Sequence, residues 1–336
     1  MLIPPKYILT PKIVGLLQII EAAKEIIDSI QIPKELELNI RRSSTLKSSL
    51  FSARIEGNNL TLDELPKTSS KDQRRKEVFN ILKGINWIFK RGSKRDLTTK
   101  EILKLHQIVM EGLIGEGDLG FFRQEISAIY NKAGIAIYLP PRPALVPTLI
   151  SRLTTFINSS KEQFIPIKAC LAHYTFEKIH PFLDGNGRVG RLLLQLVLEK
   201  GGYGMKGLVA FEEYLDTQRE KYYENLDLTE KEVSDYLEFM LQALASGAQI
   251  AKMEILKKRN LGVEDLLLPR RAEILRIIKD QKLIKFDIIR RRFLQVNERT
   301  LRYDLKKLAD ANLIKKRGTT NGVYYEILLP GENFAR

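Results

Sequence analysis

At 336 residues the chain is long enough for two or three domains, and a hydrophobic share of 44% is that of an ordinary soluble protein and gives no indication of disorder. One cysteine excludes an internal disulfide, and no apolar run approaches the roughly 18 residues of a membrane span, so a protein of the reducing cytoplasm with no membrane partner is expected. The net charge of +14 is uneven, because residues 269–327 hold 16 Lys/Arg against 7 Asp/Glu. Basicity concentrated in one short segment points to nucleic acid as a partner there.

Apolar residues recur at helical spacing along most of the chain, which predicts a mainly α protein. Residues 1–95 form an N-terminal helical region. Within it, Leu46 to Glu56 reads as a helix stopped by Gly57-Asn58-Asn59, and Thr61-Leu62-Asp63-Glu64 has the spacing of a capping box for a following helix. Ser52 and Glu56 are four apart and share one face, with Gly57 as the left-handed cap. Residues 96–245 form a second region. Here Ile126 to Pro141 breaks the helical spacing: β-branched and aromatic residues flank Asn131-Lys132-Ala133-Gly134, which predicts a β-hairpin. Pro166 to His180 and Leu192 to Leu198 are apolar on several sides and read as two buried helices joined by a loop. Cys170 falls among Ile167, Leu171 and Tyr174, a core position. His106 and His173 lie on helices with no ligand-spaced neighbour, which disfavours a metal site there. Residues 246–268 are expected to be a linker helix.

The connecting loop, His180-Pro181-Phe182-Leu183-Asp184-Gly185-Asn186-Gly187-Arg188-Val189-Gly190-Arg191, carries the chemistry. His180 can accept a proton near neutral pH, Asp184 can bind Mg2+, and Gly185 and Gly187 let backbone N–H groups curl into an anion nest at a helix N-terminus. Arg188 and Arg191 sit three apart on the helix that follows and can reach one side of that nest. The unit reads as a nucleotide phosphate site.

These residues resemble the Fic family motif, H-P-F-x-D/E-G-N-G-R-x-x-R, at every specified position. The resemblance implies a Fic-type helical core with a β-hairpin flap and the transfer of AMP from ATP to a Ser, Thr or Tyr hydroxyl of a target protein. It casts His180 as the base and Asp184 as the Mg2+ ligand. It places Gly185, Asn186 and Gly187 at the α-phosphate, and Arg188 and Arg191 on the outer phosphates. Leu46 to Leu65 is similar to the family's N-terminal inhibitory region, S/T-x-x-x-E-G/N, which makes Ser52, Glu56 and Gly57 an autoinhibitory element with a motif arginine as partner. The hairpin resembles the family's flap, with Ile129 near the base. Lys221-Tyr222-Tyr223 is similar to the helix whose aromatics wall the adenine pocket, although both tyrosines also suit a core. A kinase branch of the superfamily has Lys at the place of Gly187, so the glycine favours adenylyl transfer. Removal of AMP from targets and a nucleotide-sensing regulator stay open as alternatives, as does assembly as a homodimer.

The C-terminal region, residues 269–336, has a different character. Arg270 to Lys279, Phe286 to Phe293 and Glu298 to Ala311 read as helices, the last capped by Asn297. Leu313 to Arg317 and Val323 to Ile327 read as strands joined through Asn321-Gly322. This order resembles winged helix-turn-helix DNA-binding domains. Leu301, Leu305 and Leu308 would bury, leaving Arg299, Arg302, Tyr303 and Lys306 outward, with Lys316 on the wing, as candidate nucleic-acid contacts.

Overall fold

A computed structural model describes residues 1–30, 34–92, 96–130, 136–226, 232–259, 267–318 and 322–328. The chain divides into two compact units, one of Met1–Gln31 with Asn39–Ile255 and one of Ile32–Leu38 with Leu256–Arg336. No helix among the described residues is long and apolar enough to cross a membrane.

The larger unit is built of helices: α1 (Pro11–Ser29), α2 (Lys34–Ile55, from Asn39 onward), α3 (Gln73–Arg91), α4 (Thr99–Met110), α5 (Val146–Asn158), α6 (Ile165–Ile179), α7 (Asn186–Lys200), α8 (Glu212–Thr217), α9 (Arg219–Asn225) and α10 (Ser234–Arg259, as far as Ile255). Its centre is the antiparallel pair α6 and α7. Thirteen of the residues from Pro166 to Ile179 on α6 are buried, which is why this helix shows no clean amphipathic stripe in the sequence. Ile102, Leu105 and Val109 of α4 and Leu149, Ile150 and Leu153 of α5 are fully or nearly fully buried around it. Gly84 of α3 lets that helix approach α7 closely, since a Cβ there would lie 2.7 Å from the Leu192 side chain.

Helix α2 begins at Lys34, well before the expected Leu46, and Ile40 carries its buried face into the added stretch. The Thr61 capping box forms, with the Glu64 carboxylate accepting from the Thr61 backbone at 3.0 Å and its hydroxyl at 2.8 Å. It closes turns and not the expected helix, as Pro66 lacks the N–H that continuation requires. The hairpin is present as β1 (Ile129–Tyr130) and β2 (Ala136–Tyr138), antiparallel with Ile129 opposite Tyr138. Its expected turn, Asn131 to Gly134, lies outside the described residues.

The smaller unit holds α11 (Pro269–Gln281), β3 (Leu283–Lys285), α12 (Phe286–Arg292), α13 (Glu298–Asp310), β4 (Ile314–Arg317) and β5 (Tyr324–Ile327), with an antiparallel sheet in the order β3-β5-β4. Strand β3 goes unread in the sequence, because it offers three residues of which only Ile284 is buried, too few to show alternation. Leu301, Leu305 and Leu308 enter a core with Ile274, Ile278 and Ile289. The Asn297 side chain caps α13 by accepting from the Arg299 N–H at 2.8 Å.

Candidate active site

The site is the turn from α6 into α7. His180 ends α6 in the left-handed conformation, φ 49° and ψ 61°, which costs a non-glycine residue roughly 1–2 kcal/mol and must be held by its surroundings. Phe182 then anchors the loop: it is fully buried, and its ring stacks on His106 of α4 with centroids 3.8 Å apart. The His106 Nδ1 accepts from the Gly120 N–H at 2.9 Å, so its Nε2 carries the proton and donates to the Asp184 carbonyl at 3.1 Å. Burial pushes the His106 pKa down to about 4, consistent with that single tautomer. His106 is therefore a structural brace of the loop, as the absence of ligand-spaced neighbours suggested.

Gly185 begins α7 with φ 83°, and a Cβ on it would meet the Met110 sulfur at 2.6 Å, so glycine is required twice over. The Asn186 amide donates to the Phe182 carbonyl at 2.8 Å and accepts from the Phe182 N–H at 2.9 Å. This is a difference from the expected α-phosphate role: the side chain closes the loop on itself and braces it. The free anion donors are then the backbone N–H groups of the first turn of α7, which have no intrahelical acceptor.

Two arginines leave that turn in different directions. Arg188 donates to Glu77 of α3 at 2.7 Å and to the Asp184 Oδ1 at 2.6 Å. Asp184 Oδ1 also accepts from the Gly185 N–H at 2.5 Å, while its side chain stays 56% exposed, so it retains an open oxygen. Arg191, only 1% exposed, donates from Nε to the Ser52 hydroxyl at 2.9 Å and from Nη2 to the Ser52 carbonyl at 2.8 Å. Its Nη2 also reaches the Glu56 Oε1 at 2.8 Å. Burial, the largest single influence, opposes the charge of Arg191, but Glu56 together with Tyr222 and Tyr223 holds the pKa above the ordinary guanidinium value. The pairing is through one nitrogen. A Cβ on Gly187 would lie 2.4 Å from the Glu56 Oε1, so that carboxylate rests on the first turn of α7, at the positive end of the helix dipole. Gly57, at φ 101°, ends α2 as expected, with its N–H donated to the Arg54 carbonyl at 2.9 Å.

Burial first, and the Arg123 guanidinium second, push the His180 pKa down to about 4, against smaller upward pulls from the Glu177 carbonyl, Glu56 and Asp184. The imidazole is thus unprotonated at neutral pH, the state a general base requires. Glu177, one turn earlier and buried, goes the other way: burial raises it to about 8, opposed by Arg191 and assisted by Glu56. Tyr222 and Tyr223 part company. Tyr222 is 1% exposed, with its hydroxyl 3.3 Å from the His173 Nε2, a core position. Tyr223 is 48% exposed and donates to the Ile55 carbonyl at 3.3 Å, beside the end of α2. Ile129 is partly exposed on β1. Arg123 and Glu77 went unread in the sequence, since no local spacing ties them to the loop.

Residues 96–198 match the Fic/DOC family, and the chain carries a Fic domain. The chain is 28% identical over 236 residues to the protein adenylyltransferase Fic of Drosophila yakuba, covering 67% of this chain and 45% of that one. Against the Drosophila melanogaster protein it is 31% identical over 198 residues, 55% of this chain and 38% of that one. A probable protein adenylyltransferase of Aquifex aeolicus is 29% identical over 185 residues, 52% of this chain and 54% of that one. The chain thus spans about half the length of the curated relatives it matches, or less. The crystal structure of a Fic family protein from Desulfovibrio desulfuricans G20 superposes with a TM-score of 0.67 at 23% identity, covering 98% of this chain and 99% of that one, a likeness of fold.

Proposed function

We propose that this protein is a protein adenylyltransferase, transferring AMP from ATP to a side-chain hydroxyl of a target protein. The observation that carries the reading is the turn that sets His180 at the end of α6 directly before the N-terminus of α7, where Gly187 and Arg191 receive a carboxylate, that of Glu56. The similarity to named protein adenylyltransferases supports it. The target hydroxyl gives its proton to His180 as its oxygen bonds the α-phosphorus. The bond from that phosphorus to the bridging oxygen breaks, and pyrophosphate leaves with the electron pair. Most of the gain comes from positioning and charge neutralisation, supplied by the α7 N–H groups and by Arg188 and Arg191. No group of three metal-ligating side chains occurs among the described residues. One carboxylate with an open oxygen, Asp184, suits an Mg2+ carried largely by nucleotide phosphates, whose role when bound is to neutralise phosphate charge.

Glu56 is read as an internal inhibitor of this site. Its carboxylate engages the guanidinium that an outer phosphate would need and rests on the anion-binding turn. The decisive experiment compares ATP labelled at the α-phosphate with ATP labelled at the γ-phosphate, in native and His180→Ala protein incubated with cell lysate. Label should enter protein from the α position alone and fall at least about 10²-fold in the variant, with ATP binding retained. Label from the γ position, or unchanged transfer in His180→Ala, would overturn the reading.

The order of elements in the smaller unit and its excess of basic residues favour a second role, winged-helix contact with nucleic acid through α13 and the β4–β5 wing. Arg299, Lys306 and Lys316 are exposed there. Arg302 is also exposed but is held to Glu298 at 2.6 Å and stacked over Phe286 at 4.1 Å, which leaves it less free for phosphate.

A further inference from the structure

We propose that Arg123 is a positioning residue of this site, one guanidinium that holds the backbone bearing His180 and both stems of the flap hairpin in a single frame. Arg123 is 4% exposed, and no carboxylate is paired with it among the described residues. Its donors go to backbone carbonyls instead. Nε donates to the His180 carbonyl at 2.7 Å, Nη1 to Glu125 at 2.9 Å, and Nη2 to Pro141 at 2.5 Å and Ile179 at 3.5 Å. Its own N–H donates to the Pro181 carbonyl at 2.9 Å.

Those acceptors fall into two groups. Ile179, His180 and Pro181 are the end of α6 and the start of the motif loop, whereas Glu125 and Pro141 are the chain on either side of β1 and β2. A buried cation set against the last carbonyls of a helix is favoured by the helix dipole, so the guanidinium satisfies α6 without a carboxylate. The planar fork then fixes where the His180 carbonyl points, and with it the left-handed turn that aims the imidazole. Tyr138 of β2 ties the hairpin to the same helix end through its hydroxyl, donated to the Lys178 carbonyl at 2.9 Å. If the flap presents the target segment, Arg123 sets the distance between the hydroxyl to be modified and the base that takes its proton. Lysine cannot substitute fully, because three donors on one nitrogen cannot reach the separate carbonyls that Arg123 meets with three nitrogens.

The test uses the full chain carrying Glu56→Gly, with Arg123→Gln and Arg123→Lys added singly. It reads two quantities: the imidazole NMR signals of the three histidines, with His180 assigned by its loss in His180→Ala, and the kcat and KM of AMP transfer. In Arg123→Gln the His180 signals should move while those of His173 stay, and kcat should fall about tenfold to a hundredfold with KM for ATP changed less than about twofold. Arg123→Lys should fall between it and the parent. The rate measurement rests on the adenylyl-transfer reading, whereas the imidazole measurement does not, so a parent without transfer would count against that reading alone. Should Arg123→Gln fail to fold, Arg123→Lys is read for the same displacement of the His180 signals. His180 signals and kcat equal to the parent in the folded variants, with only thermal stability lowered, would overturn the proposal.

Discussion

Replacing Glu56 by glycine tests the restraint on this site most directly. The carboxylate makes one charge-assisted hydrogen bond, 2.8 Å to Arg191, and it does so against a guanidinium that is 1% exposed. Such bonds contribute roughly 1.5–3 kcal/mol, and each 1.4 kcal/mol is a factor of ten, so freeing Arg191 for a phosphate should raise AMP transfer by about 10- to 150-fold. Glu56 directly follows α2, which ends at Ile55, so the substitution costs little helix. It does strand a buried cation. The variant should therefore unfold at a lower temperature than native protein without nucleotide and gain more from added ATP, because an anion replaces the missing carboxylate. The assay is transfer of α-labelled AMP into protein at fixed ATP, with Glu56→Gln as a charge-only control and Glu56→Gly/Arg191→Ala as the variant in which the gain disappears. Transfer by Glu56→Gly equal to native would refute the reasoning and leave Glu56 a solvated helix-end residue.

Stability should peak near pH 6.5. Burial is the first cause holding His106 and His180 near 4 and His173 near 3, below the ordinary 6.5, so the unfolded chain binds more protons and stability rises with pH up to that value. Burial likewise raises Glu177 to about 8 and Glu212 to about 7 from 4.5, so the folded chain holds those protons and stability falls as pH rises toward 8. Calorimetry against pH should show this maximum, and Glu177→Gln should flatten the alkaline side; an unchanged alkaline fall in that variant would count against it. Gly185→Ala, which combines a left-handed φ of 83° with a 2.6 Å approach to Met110, should cost about 2–5 kcal/mol in urea unfolding, and a loss under about 0.5 kcal/mol would contradict the geometry. In the smaller unit, Arg299→Ala with Lys306→Ala should weaken nucleic-acid binding and make its salt dependence shallower, by roughly 0.9 in slope for each phosphate no longer neutralised, whereas Arg302→Ala should do less. Failure of the native protein to bind nucleic acid at low salt would make the unit a protein-contact module.

Features confined to one stretch of chain were legible from the residues alone. The loop from His180 to Arg191 brings base, carboxylate, glycine turn and arginines together by contiguity, so its chemistry needed no tertiary information. The Gly57 stop, the Asn297 cap and the buried face of α13 were legible for the same reason, since a helix end or face depends on neighbours three or four residues away. Short β3 was not, because three residues carry no period. Which partner each arginine takes was settled by packing between distant segments. Arg188 meets Glu77 across 111 residues of chain, Arg191 meets Ser52 across 139, and Arg123 meets His180 across 57. Packing also separated Tyr222 from Tyr223, because burial on one side of a helix depends on what lies against it. It likewise removes water from His180 and Glu177 and drives their pKa values apart, a consequence of desolvation that no residue pattern along the chain expresses.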